Sequence, residues 1–245
     1  MISVKRFVVI SVMCIIAVSM VMGQNTNTNN REELSVEESY LQESVETMII
    51  REQSRADSRD MKLVALEYIN DAIGRGNSGE EVRNALEYLA LEGVMNKARE
   101  SGRLVNNYPD VRAKAAESLG NLGTPEAKNT LVKMVMADPE PMVLTEAVKS
   151  LAKIGINDND EVVNVISWVV TRFDVLNPDN LLALSALEAY ETLASKSGGI
   201  KDPSAVRTII RIAEGPYIKP VQERAKQVLA TLRKSNNNQN NSNSN

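Results

Sequence analysis

Residues 109–156 read PDVRAKAAESLGNLGTPEAKNTLVKMVMADPEPMVLTEAVKSLAKIGI, and they carry the clearest indication of the fold. It contains two sets of four apolar residues, each spaced by four, four and three positions: Val111, Ala115, Leu119 and Leu122, then Val143, Ala147, Leu151 and Ile154. This spacing places the four side chains of a set on one face of an α-helix. Between the two sets, Gly123 suits the left-handed end of a helix, and Thr124-Pro125 suits the start of the next. The stretch therefore predicts successive helices joined by tight turns.

The same apolar stripe recurs outside this stretch. Three further sets have the same spacing: Met61, Ala65, Ile69 and Ala72; Leu182, Ala186, Tyr190 and Leu193; Val221, Ala225, Leu229 and Leu232. The last four stripes begin 32, 39 and 39 residues apart. Repeats of this length are typical of stacked helical hairpins, in which each apolar face is buried by the neighbouring repeat. Because we find no strand pattern, we predict an all-α fold, an α-solenoid of about five helical hairpins.

One interval breaks this regularity. The first two stripes begin 50 residues apart, and the pattern blurs around residues 94–108. The extra residues either lengthen a helix or form a loop around Gly102 and Asn106-Asn107. Two interpretations follow, a functional insertion or the atypical geometry of an end repeat.

The predicted domain opens with a capping box, Ser35-Val36-Glu37-Glu38. It predicts an amphipathic helix over residues 35–53, with one stripe facing inward: Leu41, Val45, Met48 and Ile49, with Glu52 at its end. We expect this helix to pair with the helix of residues 58–73.

The N-terminus resembles an export signal, with Lys5 and Arg6 followed by an apolar run from Phe7 to Met22 and then Gly23. The run is shorter than the ~20 residues that cross a bilayer, so we predict cleavage rather than an uncleaved anchor helix. The expected location is the periplasm or the cell exterior. We predict four segments: a signal peptide (1–23), a disordered Asn-rich linker (24–34), the repeat domain (35–234) and a disordered Asn-rich tail (235–245).

Composition excludes several classes of site from the predicted mature chain. Cleavage would remove the single Cys together with Lys5 and Arg6, leaving 26 basic and 32 acidic residues, no His and a net charge of −6. Without Cys or His, disulfides, zinc and haem sites, Cys nucleophiles and His-based acid–base catalysis are excluded. Asn157 to Glu161 lacks the Gly and Glu spacing of a helix-loop-helix calcium site. We therefore predict no catalytic residues, no cofactor and no metal, and the acidic charge also argues against nucleic acid.

Several segments carry a family resemblance. They are Asp110-Val111-Arg112, Leu119-Gly120-Asn121-Leu122-Gly123-Thr124-Pro125-Glu126-Ala127 and Asp138-Pro139-Glu140-Pro141-Met142-Val143. They resemble HEAT-like repeats of the phycobilisome-lyase type, which implies an α-solenoid. In that pattern an Arg follows the first Val, as Arg112 does, whereas Leu144 and Ala183 hold the equivalent later positions. The resemblance thus implies an incomplete polar ladder along these helices.

The combined prediction is a non-enzymatic protein-binding or scaffold module of the bacterial cell envelope. The resemblance leaves open a bilin-lyase-like enzyme or enzyme subunit. A third interpretation is a self-assembling structural envelope protein. It follows from the ends of the repeat domain, because residues 31–60 have a net charge of −5 and residues 201–234 a net charge of +5. Opposite charges of this size predict weak head-to-tail self-association.

The candidate partner-binding residues lie opposite the buried stripes, along the expected inner curve of the solenoid: Glu67, Glu117, Lys149, Glu188 and Gln227. Such a shallow, mixed-charge surface suits a protein or peptide rather than a small molecule. Trp168, the single Trp of the chain, either packs on the neighbouring repeat or acts as an aromatic anchor beside this row.

Overall fold

The computed structural model describes residues 35–242; the predicted signal peptide and linker lie outside them. The described residues form ten α-helices, a β-ribbon of two strands with two residues each, and one short 3₁₀ turn at Asp158–Asp160. The elements are α1 (Val36–Ser54), α2 (Arg59–Gly74), α3 (Glu80–Leu91), β1 (Arg99–Glu100), β2 (Arg103–Leu104), α4 (Pro109–Leu122), α5 (Pro125–Ala137), α6 (Pro141–Ile154), α7 (Glu161–Leu176), α8 (Asn180–Ser197), α9 (Pro203–Glu214) and α10 (Lys219–Ser242). The predicted all-α class is confirmed.

The helices stack in two layers. In the first layer, α3, α5, α7 and α9 pack side by side in that order, and in the second layer α2, α4, α6, α8 and α10 do the same. Within each repeat a first-layer helix packs against the second-layer helix that follows it, as α5 does on α6 and α9 on α10. This arrangement is the predicted α-solenoid of stacked hairpins.

The recurring apolar stripe forms the core of the second layer. Its members from Val111 to Leu232 are buried or half-buried, as predicted. The exception is the first stripe, where Met61 is exposed and the neighbouring Lys62 is buried instead. Small residues let the second-layer helices approach closely: a Cβ added to Gly120 would lie 2.6 Å from Oγ of Ser150. Close packing of this kind leaves little room for larger side chains.

The predicted inward stripe of α1 is wrong. By compactness the chain divides into Met1–Gln42 and Glu43–Asn245, and the described part of the first unit is the start of α1, where the Ser35–Glu38 capping box forms as predicted. In the second unit, Val45 and Met48 are exposed, whereas Ile50 is buried.

Ion pairs at the junction between α2 and α3 explain this orientation of α1. Glu46 pairs with Arg75, and Arg51 Nη2 lies 3.3 Å from Glu81 Oε1. Both pairs hold the later turns of α1 over this junction, with Ile50 inside the same shallow pocket as Ala72 and Val82. The predicted pairing of α1 along α2 is therefore replaced by contact with the junction, which turns Val45 and Met48 outward.

The irregular interval forms a loop rather than a longer helix. Its two short strands pair Arg99 with Leu104 and Glu100 with Arg103, so the expectation of no strand is corrected by one small ribbon. Asn106 holds the loop together: its Oδ1 accepts from Ala98 N at 2.8 Å, and its Nδ2 donates to Asn96 O at 2.8 Å. Gly93 has a φ of +77°, and an added Cβ would lie 2.4 Å from Asn106 O. The loop is thus closely fitted to the end of α3.

The last helix, α10, continues to Ser242, beyond the predicted domain end at residue 234. Leu232 is its last buried residue in the part of the chain whose side chains are described. The predicted segment boundaries at residues 23, 34 and 234 are not tested by these observations and stay predictions.

Candidate partner-binding surface

The five residues predicted to line the inner curve are all exposed, and each lies on a different second-layer helix: Glu67, Glu117, Lys149, Glu188 and Gln227. Trp168 is 44% exposed, which favours the anchor over the packed alternative. It lies on α7, in the first layer, and so the expectation that it stands beside the row is wrong. The structure separates the predicted site residues into a charged row on one layer and an aromatic side chain on the other.

Trp168 lines a groove between two first-layer helices. The groove has a volume of about 510 Å³ and no residue of a second-layer helix at its surface. Its main lining side chains come from α7 (Trp168, Thr171 and Arg172) and from α9 (Ser204, Arg207 and Arg211). We call this surface the Trp168 groove. It exists because polar residues of α9 face α7, while the apolar Ala205, Ile209 and Ile212 of α9 are buried.

The floor of the Trp168 groove is a network of buried hydroxyl groups. Ser167 Oγ donates to Val163 O at 2.8 Å and lies 2.8 Å from Tyr190 Oη. Burial raises the pKa of Tyr190 above its ordinary value, although its hydrogen bonds with Ser167 and Thr208 oppose that shift. The phenol therefore stays neutral and joins α7 and α9 to the second-layer helix α8. A fixed floor of this kind preorganises the groove.

Cationic groups surround Trp168. The guanidinium carbon of Arg172 lies 5.4 Å from the centre of the indole ring, within the range of a cation–π contact. Arg211 is held by Asp174, with Nε at 3.0 Å and Nη2 at 2.6 Å from the same carboxylate oxygen. In the part of the chain that the structure describes, Arg172 and Arg207 make no salt bridge. Two guanidinium groups thus remain available at the mouth of the groove.

Arg112 and Lys62 are buried and paired, and they form a polar ladder in the N-terminal repeats. Arg112, 1% exposed, directs Nε to Asp138 Oδ2 at 2.6 Å, and its Nη1 donates to Asn107 Oδ1 at 2.8 Å. At the equivalent position of the preceding repeat, Lys62 Nζ lies 2.8 Å from Glu92 Oε2 and donates to Ser54 O at 3.1 Å. These pairs tie the irregular loop to the stack.

The residues Arg112, Leu144 and Ala183 predicted an incomplete ladder, but the part that Lys62 plays in it was not predicted. One signal was present: Lys62 directly follows Met61, just as Arg112 follows Val111.

The oxygen-rich segment from Asn157 to Glu161 has a structural role in the turn before α7. Asn157 Oδ1 accepts from Val162 N at 3.1 Å. Asp160 Oδ2 accepts from the backbone N–H groups of Lys201 and Asp202, both at 2.8 Å, and so fixes the chain before α9. Over residues 35–242 no group of acidic residues has the arrangement of a metal site. Across the same residues, none of the helices has both the length and the hydrophobicity to span a bilayer.

The chemistry of the Trp168 groove suits recognition of another polypeptide. An aromatic face accepts apolar side chains, and guanidinium groups pair with carboxylates. The groove is open and shallow, unlike the deep apolar cavities that enclose small molecules.

Comparison with known proteins agrees with the architecture. The family model for HEAT repeats matches residues 103–168, about a quarter of the chain, from the end of the irregular loop to Trp168 in α7. HEAT repeats commonly serve as protein-interaction scaffolds and are generally non-enzymatic. No curated protein matches this chain.

Proposed function

We propose that this protein is a non-enzymatic binding or scaffold module that holds a protein or peptide partner in the Trp168 groove. The observation that carries the proposal is the partly exposed indole of Trp168, with Arg172 and Arg207 beside it outside any salt bridge of the described chain. Partly exposed aromatic and Arg side chains in a preformed groove are the residue types that dominate binding energy at protein interfaces.

The row of Glu67, Glu117, Lys149, Glu188 and Gln227 has a different role in this proposal. These side chains are mixed in charge and exposed, and rim charges of this kind influence association rates more than affinity. We assign them to steering a partner rather than anchoring it. A partner that extends across both layers would contact the row as well as the groove.

We further propose that the protein works in the bacterial cell envelope. This location is supported by the signal-like pattern of Lys5, Arg6 and the apolar run that ends at Gly23. Mass spectrometry of the protein isolated from its native cell tests it, since cleavage after Gly23 predicts a mature chain that begins at Gln24. An intact N-terminus would contradict export through a cleaved signal.

Affinity capture tests the binding proposal directly. The tagged wild-type protein, Trp168→Ala and the control Leu181→Ala are used as baits on the native envelope fraction, with mass spectrometry of what co-purifies. Leu181 is an exposed apolar residue on a second-layer helix, so its removal matches the loss of apolar surface without touching the groove. We expect at least one protein captured by the wild type and by Leu181→Ala, and lost or strongly reduced with Trp168→Ala. Equal capture by all three baits would place the partner elsewhere.

A further inference from the structure

The exposed side of α1 is complementary to the Trp168 groove, although the two do not meet within one molecule. We propose that one partner of the groove is a second copy of this chain, which docks the exposed side of its α1 there. This inference rests on the proposed function, because it names an occupant for the same groove.

The outward side of α1 combines apolar and acidic groups. Val45 is 53% exposed and Met48 is 63% exposed. Glu52 is exposed and follows Val45 by seven positions, so all three side chains lie on one face of the helix. Apolar side chains grouped on an exposed helix face are a common mark of an interaction site. The contact of α1 with the α2–α3 junction leaves this face outward.

The groove supplies the complementary groups. A Met thioether packs favourably on an indole ring, which pairs Met48 with Trp168. The guanidinium groups of Arg172 and Arg207 suit a carboxylate such as Glu52. The wider charge distribution favours the same orientation, because residues 31–60 have a net charge of −5 and residues 201–234 a net charge of +5.

The contact must form between two molecules. The later turns of α1 are held at the α2–α3 junction by the Glu46–Arg75 and Arg51–Glu81 pairs. The groove is formed by α7 and α9, and α5 packs between α3 and α7 in the first layer. A helix held at one side of this stack does not reach the groove of its own chain. Each copy therefore offers one helix and one groove, and the association is heterologous and head-to-tail.

Such an interface is small, since one helix face against one groove buries less than the ~1,200 Å² of a stable complex. We therefore expect weak association that requires high protein concentration. Because charge contributes to it, association should fade between ~20 mM and ~500 mM salt, as the screening length falls below ~10 Å.

Complementary variants of the full chain test the proposal by sedimentation velocity at ~20 mM salt. The groove variant is Trp168→Ala with Arg207→Glu, and the helix variant is Val45→Ser with Met48→Ser. We expect each variant alone to associate at least tenfold more weakly than the wild type. An equimolar mixture should recover a 1:1 complex, because the intact helix of one variant meets the intact groove of the other. Emission from Trp168, the single Trp, should change in the wild type on association and stay constant in the helix variant alone.

The controls separate specific docking from loss of charge, apolar surface or folding. Arg103→Glu, at an exposed position of the ribbon, matches the charge change, and Met136→Ser, at an exposed position of α5, matches the loss of a Met. Both should associate as the wild type does, and circular dichroism should show the same helix content for all variants.

A wild-type protein that stays monomeric at low salt and high concentration overturns the inference, as do variants that associate like the wild type or a mixture that recovers nothing. If envelope capture still depends on Trp168 in that case, the proposed function stands and only the second copy is excluded. If self-association depends on the groove but capture does not, the groove serves assembly and the captured partner binds elsewhere on the protein.

Discussion

Two sets of basic residues in this molecule lie in opposite environments, one buried and one exposed. Lys62 and Arg112 follow the first residue of an apolar stripe in the second layer, where they are buried against Glu92 and Asp138. Arg172 and Arg207 lie in the first layer, at the mouth of a groove, without a salt bridge in the described chain. A guanidinium group costs free energy to bury and must be paired there, whereas at the surface it is hydrated and available to a partner. In the N-terminal repeats Lys62 and Arg112 thus stabilise the stack from within. In the C-terminal repeats Arg172 and Arg207 are exposed and available to a partner.

The difference also explains where the chain offers a binding surface. Leu144 and Ala183, which are apolar, hold the positions that would continue the ladder after Arg112, and both are buried. Neutral hydroxyl groups of Ser167, Tyr190 and Thr208 connect the layers instead. The buried Lys128 pairs with Glu161 at the start of α7, whereas Arg172 and Arg207 lie at the surface outside any salt bridge of the described chain.

Replacing Arg112 should have the largest effect. Arg112→Ala leaves the Asp138 carboxylate buried and without its cation, and we expect it to lower the free energy of unfolding by about 3 to 5 kcal/mol. The matched change Arg172→Ala removes an exposed guanidinium and should cost about 0.5 kcal/mol or less. Denaturant unfolding followed by circular dichroism measures both. Similar losses of unfolding free energy in the two variants would show that the buried and the exposed cations contribute equally to stability.

Overpacking the second layer should have the next largest effect. Ala147 is fully buried on α6, and Ala147→Leu adds three carbons to a closely packed crossing, at a cost of about 1 to 3 kcal/mol. Ala230→Leu makes the same change at an exposed position of α10 and should alter stability by less than about 0.5 kcal/mol. An unchanged melting midpoint for Ala147→Leu would show that the repeat register assigned to α6 is wrong.

Removing the aromatic anchor should affect binding. We expect Trp168→Ala to weaken the affinity for a captured partner by more than about 1 kcal/mol, because aromatic anchors contribute most of the energy at such sites. Isothermal titration calorimetry with that partner measures the loss, and Leu181→Ala is the control for exposed apolar surface. An affinity within error of the wild type would show that this partner is not anchored on Trp168 and that the arginines of the groove serve a different ligand.

Reversing charges in the exposed row should have the smallest effect on affinity. Lys149→Glu or Glu117→Lys should alter mainly the association rate, and the change should shrink as salt rises. Surface plasmon resonance at two salt concentrations separates the association and dissociation rates. If reversal of Glu117, Lys149 and Glu188 together abolishes binding, the partner is anchored on the second layer and not in the groove.

The predictable part of this protein is the part that periodicity governs. The stripes of Val111 and Val143 placed α4 and α6 correctly, because a helix that buries one face must repeat apolar residues at helical spacing. The exposure of Glu67, Glu117, Lys149, Glu188 and Gln227 followed from the same geometry. The loop alternative for the irregular interval was correct, but its ribbon is too short for any strand pattern to show.

The unpredicted part depends on contacts between distant segments. The α1 stripe was assigned to the wrong side, because nothing local shows that Glu46 and Arg51 pair with residues beyond α2. The burial of Lys62 depends on Glu92, 30 positions away. The groove itself combines Trp168 with Arg207, and no local pattern connects them.

Periodicity and residue inventory are local properties, and they were enough to predict the fold class, the repeat unit and the absence of Cys- and His-based chemistry from the predicted mature chain. The burial of particular cations, the outward face of α1 and the position of Trp168 depend on side chains that another segment brings alongside, and so they follow only from contacts between distant parts of the chain.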